Sequence, residues 1–216
     1  KIGELHYKLV AQKKHSIRVI FQGMDATGKD GSTKNVFSEC SPIGLKVKSF
    51  KKPTEEEFAH DFLWRVHQAV PAKGEIQIFN RSHYEDVLIQ RVHSWIDEAK
   101  VDSRFAAINA FEQNLIKDNR TTILKFFLNI SSERQLEKLQ ERIDDPEKNW
   151  KHNDGDWEQR KHWDKYMECY EDVLNRCEVP WHAVPVDSRW YRNYHIAQVV
   201  LDTLKKMDLT LPTIDK

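Results

Sequence analysis

The sequence predicts an α/β fold in which a mostly parallel, five-stranded sheet is covered by helices on both faces. Short β-branched and apolar segments alternate with segments of helical periodicity along the chain, as in proteins built from strand–helix–strand units. The first strand runs directly into a glycine-rich loop and a helix. The 216 residues, 39% of them hydrophobic, are enough for one core. We therefore expect a single domain over residues 1–216, with a small appended lid.

The elements before the second strand follow from periodicity and from helix-breaking residues. Apolar and basic positions at helical spacing predict a helix over 5–14, and the apolar run 17–21 predicts the first strand. The pattern over 32–39 predicts a helix that ends near Pro42. Residues 45–50 alternate Leu, Val and Phe with lysines, which is typical of a half-buried strand.

The middle of the chain has clear boundary signals. Thr54, followed by three glutamates, predicts the capped start of one helix that continues to Val66. Residues 75–79 predict the third strand. Two further helices are expected, one from His83 toward Trp95 and one from about Ser103 to Lys117.

The last part of the chain contains the clearest strand, over residues 121–130. A helix is expected from Ser131 to Ile143, and residues 144–156 are polar and aperiodic, which predicts a loop. The remaining predictions are a long helix over 157–177, a strand over 180–186 and a closing helix over 189–207.

The segment from Gly23 to Gly31 has the spacing GxxxxGK of a phosphate-binding loop, and it stands between a strand and a helix. Its glycines allow successive N–H groups to point inward, and the helix start adds partial positive charge. Lys29 supplies a mobile positive charge. The candidate phosphate-binding residues are Gly23, Ala26, Thr27, Gly28, Lys29, Asp30, Gly31 and Ser32. The alternative interpretation is a glycine turn that only connects a strand to a helix.

The position after Lys29 departs from the common form of this loop. Asp30 stands where most such loops have Ser or Thr to hold magnesium, so part of the metal site must come from elsewhere. Asp25, within the loop, is the nearest candidate, because a hard cation prefers carboxylate oxygen.

A second group of candidates follows the strand 75–79. Asn80 occupies the position where phosphotransferases of this architecture usually keep a metal-binding Asp; an amide oxygen can ligate magnesium but adds no charge. Glu85 and Asp86, one helical turn further on, could share that task. Arg81 could donate two hydrogen bonds to phosphate oxygens. The alternative is that Arg81 and these carboxylates only stabilise the local turn.

A third group lies in the predicted lid, about residues 142–160. Its basic side chains, with hydrophobic support from Trp150 and Trp157, could close over reacting phosphates and displace water. These candidates are Arg142, Lys148, Lys151 and Arg160. The alternative is a solvated loop whose charges face water.

The equal numbers of basic and acidic residues limit the classes of binding partner that we expect. Lys+Arg 34 against Asp+Glu 34 gives no net charge, so we expect neither nucleic acid nor a membrane as a partner. A polyanion would need a local cluster, and each lysine considered could equally be a solubilising surface charge. The candidates for that cluster are Lys13, Lys14, Arg18, Lys46, Lys48, Lys51 and Lys52. Three cysteines without metal-like spacing, and no signal-peptide pattern, favour the cytoplasm.

Three motifs together resemble the second family of polyphosphate kinases over nearly the whole chain. They are residues 23–31, residues 79–85 and residues 142–151. The resemblance implies a three-layer P-loop kinase fold of the thymidylate-kinase type with a helical lid. By the same resemblance, Asp25 is the metal-organising acid, Lys29 and Arg81 stabilise phosphate, and Arg142 is the lid arginine. Asn80 and Glu85 are further metal candidates.

The resemblance also implies a reaction. Members transfer a phosphoryl group reversibly between inorganic polyphosphate and a nucleotide, with magnesium as the metal and manganese as its alternative. Asn80 in place of Asp, with Glu85 and Asp86 nearby, is similar to the branch called class III, whose members phosphorylate nucleoside mono- and diphosphates. AMP and ADP are the expected acceptors, and GMP and GDP are further candidates. A homodimer or homotetramer is expected.

Two other functions remain open from the sequence. An ATP-dependent nucleotide kinase would share the loop, the lid and the sheet. A regulator that binds polyphosphate or nucleotide without turnover would explain the missing acid at position 80. Retention of a lysine, an arginine and a basic lid favours turnover, since a regulator has no need of a site that excludes water.

Overall fold

The computed structural model describes residues 1–214, and its centre is one five-stranded sheet in which every pair of neighbours is parallel. The strand order is β2-β3-β1-β4-β5. The strands are β1 (Ser16–Gln22), β2 (Leu45–Ser49), β3 (Ile76–Asn80), β4 (Thr121–Asn129) and β5 (Trp181–Pro185). All five predicted strands are thus confirmed, with ends that differ by at most one residue.

Ten α-helices surround the sheet within residues 1–214. They are α1 (Ile2–Gln12), α2 (Lys29–Val36), α3 (Glu55–Ala59), α4 (Trp64–His67), α5 (Ile89–Val92), α6 (Glu98–Asn119), α7 (Ser132–Asp144), α8 (Asp154–Arg160), α9 (Trp163–Arg176) and α10 (Arg189–Lys205). Two short 3₁₀ turns lie at His83–Val87 and Asn149–Lys151. None of these helices is both long and apolar enough to cross a bilayer.

The two faces of the sheet are covered by different helices. Phe127 of β4 packs against Tyr170 of α9, and Lys125, two residues earlier on the same face, pairs with Glu112 of α6. On the opposite face, His182 of β5 lies near α10, which also contacts α1 and α2. The expected helical cover on both faces is confirmed.

The central strand β1 is buried along its whole length, but its two faces differ in character. Ile17, Val19 and Phe21 point into an apolar layer. Arg18 and Gln22, on the other face, are also fully buried. A parallel strand covered on both sides normally reads as a hydrophobic run, so this polar face requires partners.

The predicted helix from Thr54 to Val66 is wrong in its middle. The capping box at Thr54 is present, but α3 ends at Ala59 and His60 is extended. Asp61 then accepts a hydrogen bond from the N–H of Leu63 through its side chain, which starts α4 as a separate short helix.

The helices predicted over 83–95 and 103–117 also differ from the structure. The first is a 3₁₀ turn followed by the four-residue helix α5. The second begins earlier, at Glu98, because the side chain of Asp97 caps the N–H of Lys100 at 2.8 Å. Its 22 residues make it the longest helix described.

The region predicted as a loop over 144–156 is partly helical. The side chain of Asn153 accepts from the N–H of Gly155 and so begins α8. The single helix predicted over 157–177 is therefore two helices, which meet between Arg160 and Trp163.

The strand register brings the predicted site together. Phe21 near the end of β1 pairs with Asn80 at the end of β3 and with Phe126 of β4. The segments that follow these strands therefore leave the same edge of the sheet, which is where ligands bind in open parallel sheets.

Candidate active site

The glycine loop between β1 and α2 forms a concave run of main-chain N–H groups. Gly23, Ala26 and Gly28 have positive φ angles of 153°, 66° and 88°. Among the described residues, the N–H groups from Asp25 to Gly28 donate to no protein oxygen, and those of the first turn of α2 have no partner within the helix. The loop therefore has the geometry of an anion-binding nest.

The side chain of Lys29 folds back over this loop. Its Nζ donates to the carbonyl oxygens of Gly23 and Met24, at 2.8 and 3.0 Å. Burial lowers the pKa of Lys29 to about 8, an effect that the nearby carboxylate of Asp25 partly offsets. The lysine charge is thus already inside the loop and can exchange its carbonyl partners for phosphate oxygens.

Asp25 and Arg81 form an ion pair across the site. The guanidinium Nη2 of Arg81 donates to Oδ1 of Asp25. Burial alone would raise the pKa of Asp25, but the charges of Arg81 and Lys29 outweigh it and the pKa is lowered. The Asp25 carboxylate is therefore ionised at neutral pH and available to a cation.

Asn80 is linked directly to the residue that replaces Ser or Thr in the loop. Its Nδ2 donates to Oδ1 of Asp30 at 2.7 Å, and its Oδ1 accepts from the hydroxyl of Thr33 at 3.2 Å. Here the loop therefore gives a carboxylate and the strand gives an amide, whereas in the common arrangement the loop gives a hydroxyl and the strand gives an acid.

Glu85 faces the same site from the 3₁₀ turn. One of its oxygens accepts from the side-chain amide of Gln22, whose own oxygen accepts from Ser82 at 3.1 Å. The charge of Glu85 is the largest influence that raises the pKa of Arg81. The structure thus brings Arg81 between two carboxylates, Asp25 and Glu85.

Asp86 does not support the sequence-based expectation. Its side chain is 4% exposed, accepts from Gln90 Nε2 at 2.6 Å and lies 4.0 Å from the guanidinium of Arg65. Burial raises its pKa to about 6, although Arg65 and Arg104 oppose the rise. The alternation of side chains in the turn sends Glu85 toward the loop and Asp86 into the protein.

The segment 142–160 contacts the site through two arginines. Arg142 donates to Oδ2 of Asp156, and burial raises the pKa of that carboxyl. Arg160 donates to Gln135 Oε1 at 2.9 Å and to Ser132, which ties α8 to α7. Gln135 in turn donates to the main-chain oxygen of Asp25 at 3.1 Å. Arg160 therefore supports the segment, whereas Asp156 is the one acidic partner of Arg142 among residues 1–214.

The other predicted members of this segment point outward. Lys148 pairs with Asp145 at 2.7 Å, and Lys151 lies over the ring of Trp150. Trp150 is 78% exposed, so it gives no hydrophobic support in this arrangement.

The structure removes three residues from the basic cluster expected to bind a polyanion. Arg18 is fully buried and cannot meet a polyanion at the surface. Lys13 and Lys14 precede β1, so they lie at the edge of the sheet opposite the glycine loop. Lys51 and Lys52 follow β2 and remain at the correct edge.

Arg192 of α10 is a site residue that sequence reasoning missed. Its Nη1 donates to the main-chain oxygen of Thr27 at 3.1 Å, and a Cβ on Gly28 would come within 2.0 Å of the same atom. Nothing in the local sequence marks Arg192, because its partner lies 165 positions earlier. Gln22, Gln135 and Asp156 were missed for the same reason.

The donor set fits a magnesium ion that completes its shell with substrate. Within residues 1–214 no three His, Cys, Asp or Glu side chains are grouped to hold a metal by themselves. Magnesium is usually bound by one or two carboxylates together with phosphates and water. Asp25, Asp30, Asn80 and Glu85 provide oxygens of that kind around the loop.

Comparisons with known proteins identify the family. A family model described as "Polyphosphate kinase 2 (PPK2)" matches residues 2–212. The chain belongs to the polyphosphate kinase 2 family. A relative from Meiothermus ruber, named AMP/ADP-polyphosphate phosphotransferase, is 45% identical over 98% of this chain and 80% of its own length. One from Rhodopseudomonas palustris, named ADP-polyphosphate phosphotransferase, is 39% identical over 98% and 78%.

The structural comparison agrees with membership of the polyphosphate kinase 2 family. A crystal structure of polyphosphate kinase 2 from Arthrobacter aurescens TC1 superposes with a TM-score of 0.96 at 42% identity, covering 100% of this chain and 78% of the other. The predicted α/β P-loop kinase fold and the predicted enzyme class, phosphoryl transfer between polyphosphate and nucleotides, are both confirmed.

Proposed function

We propose that this polyphosphate kinase transfers the terminal phosphoryl group of inorganic polyphosphate reversibly to nucleoside mono- and diphosphates, with magnesium as the metal and AMP and ADP as the principal acceptors. The observation that carries the proposal is the arrangement at one sheet edge. There the unpartnered N–H groups of the glycine loop, Lys29 and Arg81 converge beside the acids Asp25 and Glu85. GMP and GDP are further acceptors to test, and manganese is the alternative metal.

The loop and Lys29 bind the transferring phosphate in this proposal. Main-chain N–H groups hold phosphate oxygens in fixed directions, and Lys29 follows the charge as it moves. Ser32, buried in α2, has a hydroxyl without a protein partner among the described residues and lies directly behind the loop.

Arg81 changes partner when substrate arrives. Its side chain is 39% exposed and its guanidinium bonds Asp25 through Nη2, so the other nitrogens of the guanidinium can meet a phosphate. Arg142, on α7, supplies a further positive charge, which helps to lower the pKa of Asp25.

The chemical step needs no protein nucleophile. An anionic oxygen of the acceptor's terminal phosphate attacks the terminal phosphorus of polyphosphate, and the bond from that phosphorus to its bridging oxygen breaks. The products are a nucleotide longer by one phosphate and a polyphosphate shorter by one. Because the reacting groups are all anions, positioning and charge neutralisation supply most of the catalysis.

Asp25, Asn80 and Glu85 would hold the metal, with Asp30 as its neighbour. When bound, magnesium neutralises charge on the phosphate chain and helps to align it. The protein's own part is to keep Asp25 ionised, which Arg81 and Lys29 do, and to fix Asn80 through Asp30 and Thr33.

The segment 142–160 acts as a lid in this proposal. Lys151 is exposed beside Trp150 and can turn toward a polyanion, and Lys148 can do so by leaving Asp145. Arg160 keeps α8 attached to α7. Closure would bring Arg142 over the phosphates and exclude water.

A product assay tests the proposal. The purified protein is incubated with polyphosphate, magnesium and one of AMP, ADP, GMP or GDP, and nucleotide products are separated by ion-exchange chromatography. We expect ADP and ATP from AMP, and ATP from ADP. Transfer only when ATP is the donor would favour an ATP-dependent nucleotide kinase, and binding without transfer would favour a regulator.

Assembly and location also belong to the proposal. A homodimer or homotetramer, suggested by the family resemblance, is checked by light scattering after gel filtration. The three free cysteines agree with the expected cytoplasmic setting. Nucleic acid and membranes are not expected partners, and salt-dependent binding to DNA or to anionic vesicles would contradict this.

A further inference from the structure

The turn that carries Arg81 and Glu85 is attached to a buried polar network beneath the sheet edge. Each side chain from Ser82 to Glu85 bonds inward: Ser82 and Glu85 to Gln22, and His83 to Arg18 at 2.9 Å. Tyr84, fully buried, bonds two charged groups of the core. Four consecutive side chains of the turn are therefore anchored in the core.

The centre of this network is an ion pair with no exposure to solvent. Lys125 of β4 donates to Glu112 of α6 at 2.8 Å, and both side chains are 0% exposed. The hydroxyl of Tyr84 donates to Glu112 at 3.0 Å and accepts from Lys125 at 2.7 Å. The Glu112 oxygen that accepts from Tyr84, Oε1, also lies 3.7 Å from His83 Nε2. Among residues 1–214, the pair therefore finds its further hydrogen-bond partner in the turn, at Tyr84, while the ring of Trp181 lies 5.1 Å from Lys125 Nζ.

Such a pair is costly unless its hydrogen bonds are complete. Two charges removed from water lose more hydration than their attraction returns, and replacement of a buried pair by apolar side chains is often neutral or stabilising. Hence global stability alone does not explain the group. The hydrogen bonds of the pair instead hold Tyr84, and with it the turn, in one position.

Arg81 is the residue of the turn whose backbone conformation has to be held by its surroundings. Its φ angle is 61°, in the left-handed region that non-glycine residues rarely occupy, and its N–H donates to the oxygen of Phe21 at 3.0 Å. A residue in this conformation stays there only when its surroundings hold it. The constraint sets the direction of the Arg81 side chain toward Asp25.

We propose that Tyr84, Glu112 and Lys125 are positioning residues for phosphoryl transfer: the buried pair holds the Tyr84 hydroxyl, and the turn so fixed aims Arg81 at the phosphates. This inference rests on the proposed role of Arg81. None of the three touches substrate. Their effect passes through the backbone of residues 81–85, where a displacement of about 1 Å is enough to cost a large factor in rate.

The test is a double-mutant cycle between Tyr84→Phe and Arg81→Ala. Tyr84→Phe removes only the hydroxyl and keeps the ring against Trp181, at 4.8 Å between centroids. We expect kcat to fall about tenfold with the KM for ADP changed less than about twofold, because orientation and not affinity is lost. In the Arg81→Ala background, the same substitution should change kcat by less than about twofold.

A second substitution and a matched control accompany the cycle. Glu112→Gln removes the charge that pairs with Lys125 and is expected to give the same selective loss of kcat, with folding checked by circular dichroism. Ser16→Ala removes a buried hydroxyl on the same face of β1, bonded to Thr121 at 2.9 Å but far from the turn. It should leave kcat unchanged within about twofold.

The outcomes separate this inference from the proposed function. Wild-type activity of Arg81→Ala would overturn the role of Arg81 in the proposed function. An inactive Arg81→Ala, together with folded Tyr84→Phe and Glu112→Gln that keep wild-type kcat, would overturn the inference alone. It would also be overturned if Tyr84→Phe lowered kcat by the same factor in both backgrounds, since that is the behaviour of a structural residue.

Discussion

Arg81 donates a hydrogen bond to the carboxylate of Asp25, so a cation from the turn after β3 and an anion from the glycine loop neutralise one another before any substrate binds. The guanidinium of Arg81 and the carboxylate of Asp25 are therefore both held in the site in the absence of substrate. The ion pair also implies that binding of a phosphate and binding of a cation are linked, because each takes one member of the pair.

The first prediction concerns Asp25. Asp25→Asn should lower the rate at least about a hundredfold and raise the magnesium concentration needed for half-maximal activity, because the amide carries no charge to attract the ion. The measurement is a magnesium titration of initial rates at saturating polyphosphate. Asp154→Asn, a change at a fully exposed acid of the same lid segment, is the control. A magnesium curve unchanged from wild type would remove Asp25 from the metal site.

The second prediction is a pH dependence set by Lys29. Its pKa of about 8 in the folded protein means that kcat/KM should fall as pH rises above about 8, when the ammonium loses its proton. Stability should change in the opposite direction. Because the folded pKa lies below the unfolded value of 10.5, the folded protein binds fewer protons between these pH values, and the free energy of unfolding rises with pH there.

Lys29→Arg distinguishes this origin from a general alkaline effect. The arginine keeps its charge, so a slower enzyme without the alkaline limb near pH 8 is expected. If kcat/KM of the variant fell in the same way near pH 8, the titrating group would not be Lys29.

The third prediction compares two glycines of the same loop. Gly28→Ala should abolish most activity, because Gly28 has φ 88° and the new Cβ would lie 2.0 Å from Nη1 of Arg192. Gly31, three residues later, lies in ordinary helical backbone inside α2, and its nearest contact for a Cβ is 3.3 Å. Gly31→Ala is therefore the matched control, with activity within about threefold of wild type. Equal losses in both variants would contradict this account of the loop.

The fourth prediction concerns Asp86. Its pKa is raised by burial from 3.8 to about 6, so the folded protein binds more protons than the unfolded chain between these values, and stability falls as pH rises through this window. Asp86→Asn should remove that loss and raise the free energy of unfolding at pH 8 by about 1 to 3 kcal/mol. No gain is expected at pH 3.5, where the carboxyl is protonated in both states.

Activity of Asp86→Asn gives an independent check of its place in the fold. Because its side chain bonds Gln90 and does not reach the glycine loop, we expect kcat within about threefold of wild type. Urea unfolding at the two pH values and a standard rate assay are sufficient. A large loss of kcat would instead indicate that Asp86 acts in the active site.

The sequence predicted the fold and the first parts of the site because those signals are local. The apolar run of β1 and the glycine spacing after it are written in consecutive residues. The break at Asp61 was missed because apolar periodicity continues across it. The helix start at Asn153 was missed because the residues around it are polar and have no period.

The long-range partners could not be predicted from one sequence. Arg18 looked like a surface cation beside two lysines, and only the packing of α6 against β1 and the turn makes it a core residue. Arg192 stands 165 positions from the carbonyl it supports. Such pairs depend on which strands are neighbours, and a pattern within one segment contains no information on that.

The central place of β1 also bears on how the protein is made. Its two neighbours, β3 and β4, are both synthesised later, and β4 ends only at Asn129. During translation the glycine loop therefore has no complete support until more than half of the chain has left the ribosome, and parallel pairings over such separations form slowly. Nascent chains should accordingly acquire the capacity to retain phosphate in one late step.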